Sequence, residues 1–188
     1  LNGDPMGYFQ GAVSKNYTSL TGVATTLDDL VYIGPTLPLF TASLGNTVQW
    51  KRFSVTIRVS GKFGYYFLRQ SVDYGTLFKG GAGHADYALR WQQTGDEKFT
   101  SVPSMTFPAV TRRDNFYRYA DVLASRADHI RLQYITITYE IKKPSLQFYI
   151  NLNNAGLLWK ANSFGIDPEY NNTLTPSKNV VLGLKAEF

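Results

Sequence analysis

The sequence has no cysteine, and charged residues make up only 18% of its 188 positions. Without thiols, neither a disulfide framework nor a thiolate metal site can form. No apolar run approaches the roughly 20 residues of a transmembrane helix. The opening Leu1-Asn2-Gly3-Asp4-Pro5 has neither the basic start nor the apolar stretch of a secretory leader. A membrane crossing by this chain therefore has to use strands, with the export signal expected outside these residues. Basic residues outnumber acidic ones by 19 to 14. They are scattered apart from pairs such as Lys51-Arg52, Arg112-Arg113 and Lys142-Lys143, and no basic stripe accompanies them. Nucleic acid is not an expected partner.

Convergent chemistry is also missing. Asp28-Asp29 and Asp96-Glu97 are adjacent carboxylates, which strand geometry sends to opposite faces rather than onto one bond. His84 and His129 have no third ligand near them in sequence. Gly80-Gly81-Ala82-Gly83 shares only its glycines with a phosphate loop, because no Gly-Lys-Ser/Thr follows. The sequence points to no catalytic residue, no metal and no cofactor, and not to an enzyme.

What the chain does have is 13 Tyr and 12 Phe, a composition that favours strands. Residues 1–39 show no sustained period and read as loop. From Phe40 the side chains alternate. Phe40, Ala42, Leu44, Val48 and Trp50 share one parity, opposite Thr41, Ser43, Thr47 and Gln49. The strongest run covers 53–67, with Phe53, Val55, Ile57, Val59, Phe63, Tyr65 and Phe67 on one side. Ser54, Thr56, Arg58, Ser60 and Lys62 fall on the other. About 15 residues is far beyond the ~5–6 of a typical globular strand. Residues 69–128 are mostly aperiodic, with a possible helical turn at 121–125. The pattern resumes at 130–141, where a parity switch predicts a bulge near Tyr134. It continues through Leu146, Phe148, Ile150 and Leu152 after a turn at Lys142-Lys143-Pro144. A loop over 155–177 precedes the last strand, whose Val180, Leu182, Leu184, Ala186 and Phe188 share one face. Connections alternate short and long, as between the two rims of a membrane barrel.

Several segments together carry a family resemblance. They are Ile33-Gly34-Pro35-Thr36-Leu37-Pro38-Leu39-Phe40, Ser43-Leu44-Gly45-Asn46-Thr47, Lys62-Phe63-Gly64-Tyr65, Arg90-Trp91-Gln92-Gln93-Thr94-Gly95-Asp96, Ile130-Arg131-Leu132-Gln133-Tyr134-Ile135-Thr136 and the strand closing on Phe188. In these the chain resembles the C-terminal part of a SusC/RagA-type TonB-linked outer-membrane transporter, across residues 1–188. The resemblance implies an all-β fold: about five C-terminal strands of a 22-stranded transmembrane antiparallel barrel, with long extracellular loops. It implies import of large nutrients, oligosaccharides or oligopeptides, at the outer membrane of a Gram-negative, Bacteroidetes-like cell. The implied partners are the remaining barrel and plug, a SusD-like surface lipoprotein, outer-membrane lipid, and the TonB complex through an N-terminal segment absent here. Phe188 on the periplasmic side would make the 51–52 and 142–144 turns periplasmic, with 69–129 and 155–177 extracellular. Leu1 would then lie in an outer loop. Five strands cannot close a barrel, and open edges are not tolerated in hydrocarbon, so the missing strands are expected from another chain.

Within that frame, Tyr87, Trp91, Tyr117, Trp159 and Tyr170 are candidate loop contacts for a ligand or lid, competing with simple packing of the loops. The resemblance assigns Leu184, Ala186 and Phe188 to a C-terminal assembly signal. Trp50, Phe53, Tyr65, Phe67 and Tyr139 fall near strand ends, where amphipathic rings suit a headgroup level. The rival reading is a soluble β-sandwich that binds carbohydrate through Tyr and Trp; a sandwich needs no detergent and shows no heat-dependent gel shift.

Overall fold

A computed structural model describes residues 3–81, 83–142 and 145–187. Among them, in chain order, are β1 (Gly7–Phe9), β2 (Ala12–Ser14), α1 (Tyr17–Leu20), β3 (Phe40–Trp50), β4 (Phe53–Phe63), β5 (Tyr66–Leu68), α2 (Tyr74–Phe78), α3 (Thr111–Arg118), β6 (Ala124–Arg126), β7 (His129–Ile141), β8 (Ser145–Lys160) and β9 (Asn179–Glu187). The chain divides into two compact units, one of residues 1–33 and 68–124, the other of 34–67 and 125–188.

The second unit is built on an antiparallel five-stranded sheet in the order β3-β4-β7-β8-β9, a meander with each strand beside its predecessor in the sheet. Two residues, Lys51-Arg52, join β3 to β4, whereas 64–128 separate β4 from β7. Lys51 takes a positive φ of 57° in that tight turn. Lys143 and Pro144 of the expected β7–β8 turn, and Phe188, lie outside the described residues.

Three boundaries differ from the periodicity. The strand expected over 53–67 stops at Phe63, because Gly64 turns the chain with φ 77°. A side chain there would meet Leu39 Cβ at 3.2 Å, and the Gly64 amide donates to Asp128 Oδ1 at 2.6 Å. Tyr65 and Phe67 keep the alternation but are buried with Ala127 and Ile166, not set at the end of an open strand. Conversely, β8 runs on to Lys160, six residues into the stretch read as loop. Asn154 (φ 52°) and Gly156 (φ 119°) look like turn residues in sequence; here they let an irregular strand continue, with its register to β7 shifting between Leu132 and Tyr134. The bulge expected near Tyr134 falls at Gln133, opposite a register shift between Arg58 and Val59. The third change is at 1–39, which holds the β1–β2 hairpin and α1 rather than loop alone.

The first unit is held by polar contacts as much as by apolar ones. Asn16 caps α1 by accepting from the Thr18 and Ser19 amides, and Asp73 caps α2 through the Thr76 amide. Val72, Tyr74 and Val102 form its core, flanked by Leu77, Phe78, Tyr87 and Ala109. The Tyr74 hydroxyl donates to the Pro103 carbonyl at 2.6 Å, and burial pushes its pKa up to about 12. Arg113 of α3 is 3% exposed. Its Nε donates to Asp4 Oδ1 at 2.8 Å, and its terminal nitrogen to the carbonyls of Gly3 (3.1 Å) and Ser104 (2.8 Å). One guanidinium thus joins three segments distant in sequence. Arg113→Met is expected to destabilise this unit by roughly 3–5 kcal/mol, since it strands a carboxylate and two carbonyls. Hydrogen exchange at the Ser104 amide, which donates to Gly3, should accelerate accordingly; an unchanged rate would contradict that role.

Candidate functional site

Residues paired across an antiparallel ladder lie on the same face, so the register sorts the whole sheet. One side carries Leu44, Val59 and Leu132, then Val55, Ile137, Ile150 and Leu182, then Ile57, Ile135, Leu152 and Val180. Apart from Asn46 and the glycines, this face is apolar or aromatic across all five strands. None of its side chains is buried; Leu44 and Leu182 are 71% and 72% exposed.

Both ends of that face are aromatic. Trp50, Phe53, Tyr139, Phe148 and Leu184 are successive partners across the five strands beside the short turns. The Phe53 and Tyr139 rings lie 4.7 Å apart. At the other end Phe40 pairs with Phe63, and Trp159 with Ile130. Ten residues from Phe53 to Phe63 at ~3.3 Å each separate the rows by roughly 33 Å along the strand. Trp159 therefore belongs to the sheet, inside β8, rather than to a loop. Leu184 and Ala186 also lie on the apolar face, opposite Phe148 and Leu146.

The other side of the sheet is polar and internally bonded. Thr47 and Thr56 share a hydroxyl hydrogen bond of 2.9 Å, Arg58 Nε donates to Ser43 Oγ at 3.1 Å, and Gln133 Nε2 to Ser60 Oγ at 2.6 Å. Tyr149 lies across Gly183, where any Cβ would come within 2.1 Å of its ring. The small residue in β9 is what admits the ring of β8.

At the loop end of this polar side sits a cluster of charges. Arg131 reaches from β7 to both oxygens of Asp167 (2.7 Å each) and to Glu169 Oε2 (2.7 Å). Lys62 of β4 donates to the other Glu169 oxygen at 2.5 Å. His129 Nε2 lies 3.7 Å from Glu169, and its Nδ1 is within 3.2 Å of the Tyr65 hydroxyl. The pair Asp167–Glu169 thereby binds the β8–β9 loop to two strands. Nothing in the aperiodic stretch around it marks these two carboxylates as different from other loop charges.

The loop aromatics divide. In the first unit Tyr117 is 4% exposed with its hydroxyl 3.1 Å from Ser71 Oγ, so it lies inside the loop layer rather than on its surface. Tyr87 is half-buried against the core, stacked under the Arg90 guanidinium at 4.1 Å. The Trp91 indole donates to Glu97 Oε2 at 3.0 Å. That bond, with the amides of Glu97 and Gly95, draws the Glu97 pKa down to about 2. Asp86 accepts from Arg69 at 2.5 Å and Ser71 at 2.6 Å. In the second unit Tyr170 lies 5.4 Å below the Arg131 guanidinium. Tyr87, Trp91 and Tyr117 are thus engaged within the first unit, and Tyr170 within the second. Among the described residues no group of three or more His, Asp or Glu is arranged to hold a metal.

Burial raises the Glu169 pKa, but the Lys62 hydrogen bond and the charges of Lys62 and Arg131 outweigh it, leaving a net lowering. A carboxylate lowered on folding contributes stability above its unfolded pKa of ~4.3, and that contribution fades as pH falls through the folded value. Protection of amides around 167–173 is thus expected to be lost at pH below about 4. Glu169→Gln should weaken it by about 2 kcal/mol at neutral pH and flatten the acid dependence. Hydrogen exchange corrected for intrinsic rates measures both; protection in Glu169→Gln equal to that of the parent would remove the anchor.

No protein-family model matches the chain, and no curated protein sequence matches it. A solved structure of the RagAB peptide importer in the "open-open" state does, with a TM-score of 0.63 at 16% identity over the whole of this chain. The chain spans about a fifth (21%) of the length of that importer chain. At this identity the likeness is one of fold, and the fold it shares is the antiparallel all-β sheet with long loops described above.

Proposed function

We propose that this chain is part of the wall of a TonB-dependent outer-membrane transporter of the SusC/RagA type, importing oligopeptides or oligosaccharides with a SusD-like surface lipoprotein. The observation that supports this most is the open apolar face, continuous through five strands and bordered by aromatics at both ends. At ~45° tilt its ~33 Å strand length projects to roughly 23 Å, close to the ~25 Å apolar band of outer-membrane barrels. The polar side would then line the lumen. Long strands joined by alternating short and long connections support the same reading, as does the likeness to a peptide importer across the full chain. Peptide cargo is favoured over glycan only by that likeness. In this reading the remaining barrel, the plug and the energy-coupling segment are further parts of the same transporter.

A soluble carbohydrate-binding sandwich fits less well. It requires its apolar face to be covered by a second sheet, and Leu44, Val48, Ile150, Leu182 and Leu184 are exposed. Tyr87, Trp91, Tyr117 and Tyr170 are each engaged by residues of their own unit, and Trp159 lies within β8.

The two faces differ sharply in what they tolerate if this is a barrel wall. Ile57 and Thr56 are neighbours at mid-strand with opposite parity. Ile57→Lys places a charge toward lipid at a cost of roughly 2–4 kcal/mol, whereas Thr56→Lys turns the same charge toward the lumen. In the assembled transporter extracted with detergent, the heat-modifiable folded band should be depleted in Ile57→Lys and retained in Thr56→Lys. Equal tolerance of both, in protein that stays soluble without detergent, would favour the sandwich.

A further inference from the structure

Carboxylates are scarce on the polar side of the sheet. The five long strands contain only two, Glu140 of β7 and Glu187 of β9. Both lie towards the short-turn end, where Glu140 accepts from Gln147 and Glu187 from Lys185. At the loop end Asp167 and Glu169 are taken up by Arg131 and Lys62. Arg58 sits between these two zones. Its partner in β7 is Tyr134, which places Glu140 six residues further along that strand, roughly 20 Å away at ~3.3 Å per residue. Lys62, with its acid, lies four residues along β4 from Arg58, roughly 13 Å. Among the described residues no carboxylate pairs with Arg58.

Arg58 is nevertheless held in place. Its Nε donates to Ser43 Oγ at 3.1 Å, and that hydroxyl donates in turn to the Val59 carbonyl at 3.4 Å. The residue is exposed, and its two terminal nitrogens have no partner among the described residues. Those nitrogens carry most of the N–H groups of a guanidinium. Opposite it in register, Gly45 leaves open space, since a Cβ there would meet nothing within 4 Å. On its other side Tyr134, ~4.8 Å away across the ladder, carries a hydroxyl with no hydrogen-bond partner among the described residues. Asn153 and Asn179 continue the same row on β8 and β9. Cross-strand partners face one side, so this row offers donors and one fixed positive charge with no acid to match them. A guanidinium whose Nε is already committed still presents a fork that fits the two oxygens of a carboxylate.

Resting on the proposed transporter reading, we infer that Arg58 is the centre of a carboxylate-binding site on the luminal wall, with Tyr134 as a second donor to the bound group. Two sources bring a carboxylate to that wall in such a transporter: an acidic side chain of the plug, and the carboxylate of a peptide in passage. The site binds the same chemistry in either case.

The test is zero-length coupling with a water-soluble carbodiimide, which joins an amine to a carboxylate in contact with it. It uses the assembled transporter in vesicles, carrying Arg58→Lys, without and with N-acetyl-tetraalanine that has a free C-terminal carboxylate. The Lys62–Glu169 pair, already in contact, is the internal positive control. Mass spectrometry of the digest should show position 58 coupled in a yield comparable to that control. Coupling to a plug carboxylate in the resting transporter identifies the plug as the source, and changing that acid to its amide should abolish it. Coupling to the added peptide, lost when its C-terminus is amidated, identifies cargo. Gly45→Lys sets an amine in the adjacent open space while keeping Arg58, and gives the same readout where Arg58→Lys does not assemble. No coupling at either position, with the control pair coupled and the heat-modifiable band retained, overturns the inference alone. A parent protein that lacks that band and stays soluble without detergent overturns the membrane reading, and this inference with it.

Discussion

Backbone pairing decides which side of a sheet each residue faces, and a slip of one residue in any strand would exchange the two sides. Here five strands of nine to sixteen residues keep one parity apolar throughout. Where a strand would drift out of phase, a bulge corrects it. The extra residue at Gln133 lets Leu132 stay with Val59 while Ile135 stays with Ile57. Asn154 and Gly156 do the same for β8, restoring Trp159 to the side of Ile130. The bulges are thus part of what keeps the open face apolar.

The polar side follows from the same parity. Polar and charged residues converge there, and several are bonded to one another. At the loop end Lys62 and Arg131 would otherwise be two close cations on neighbouring strands. Asp167 and Glu169 neutralise them, and in doing so hold the β8–β9 loop to the sheet. At the turn end Lys51 stacks on Trp50 of the apolar face and has no carboxylate partner among the described residues. The sheet is therefore electrostatically asymmetric along its strands as well as across its faces.

Much of this sheet was legible in the order of residues, because period-two alternation is local. The limits of β3 and the parity of Leu146–Leu152 follow directly from it, and a parity switch located the bulge to within one residue. Alternation failed where a glycine changed direction without breaking the pattern: Tyr65 and Phe67 continue the series past Gly64 but pack elsewhere. It failed again where Asn153-Asn154-Ala155-Gly156 carried turn chemistry inside a strand. The first unit was not legible, since its organising contacts join residues such as Asp4 and Arg113, 109 positions apart. The Lys62–Glu169 contact, spanning 107 positions, gave no local signal either. Tyr117 and Trp159 show the same limit from the functional side: an aromatic in an aperiodic or Asn/Gly-rich stretch carries no mark of whether it will be buried, paired or displayed.

The central claim is that the two parities of the sheet meet different solvents, lipid on one side and water on the other. Spin labels placed one at a time along β4, from Phe53 to Phe63, in the bilayer-reconstituted transporter test this most directly. Collision with oxygen should peak at Val55, Ile57 and Val59, and collision with a water-soluble nickel chelate at Thr56, Arg58 and Ser60. The two profiles should alternate with a period of two residues and opposite phase. Accessibility to the chelate at every position, or burial from both reagents along the Val55 parity, would contradict it.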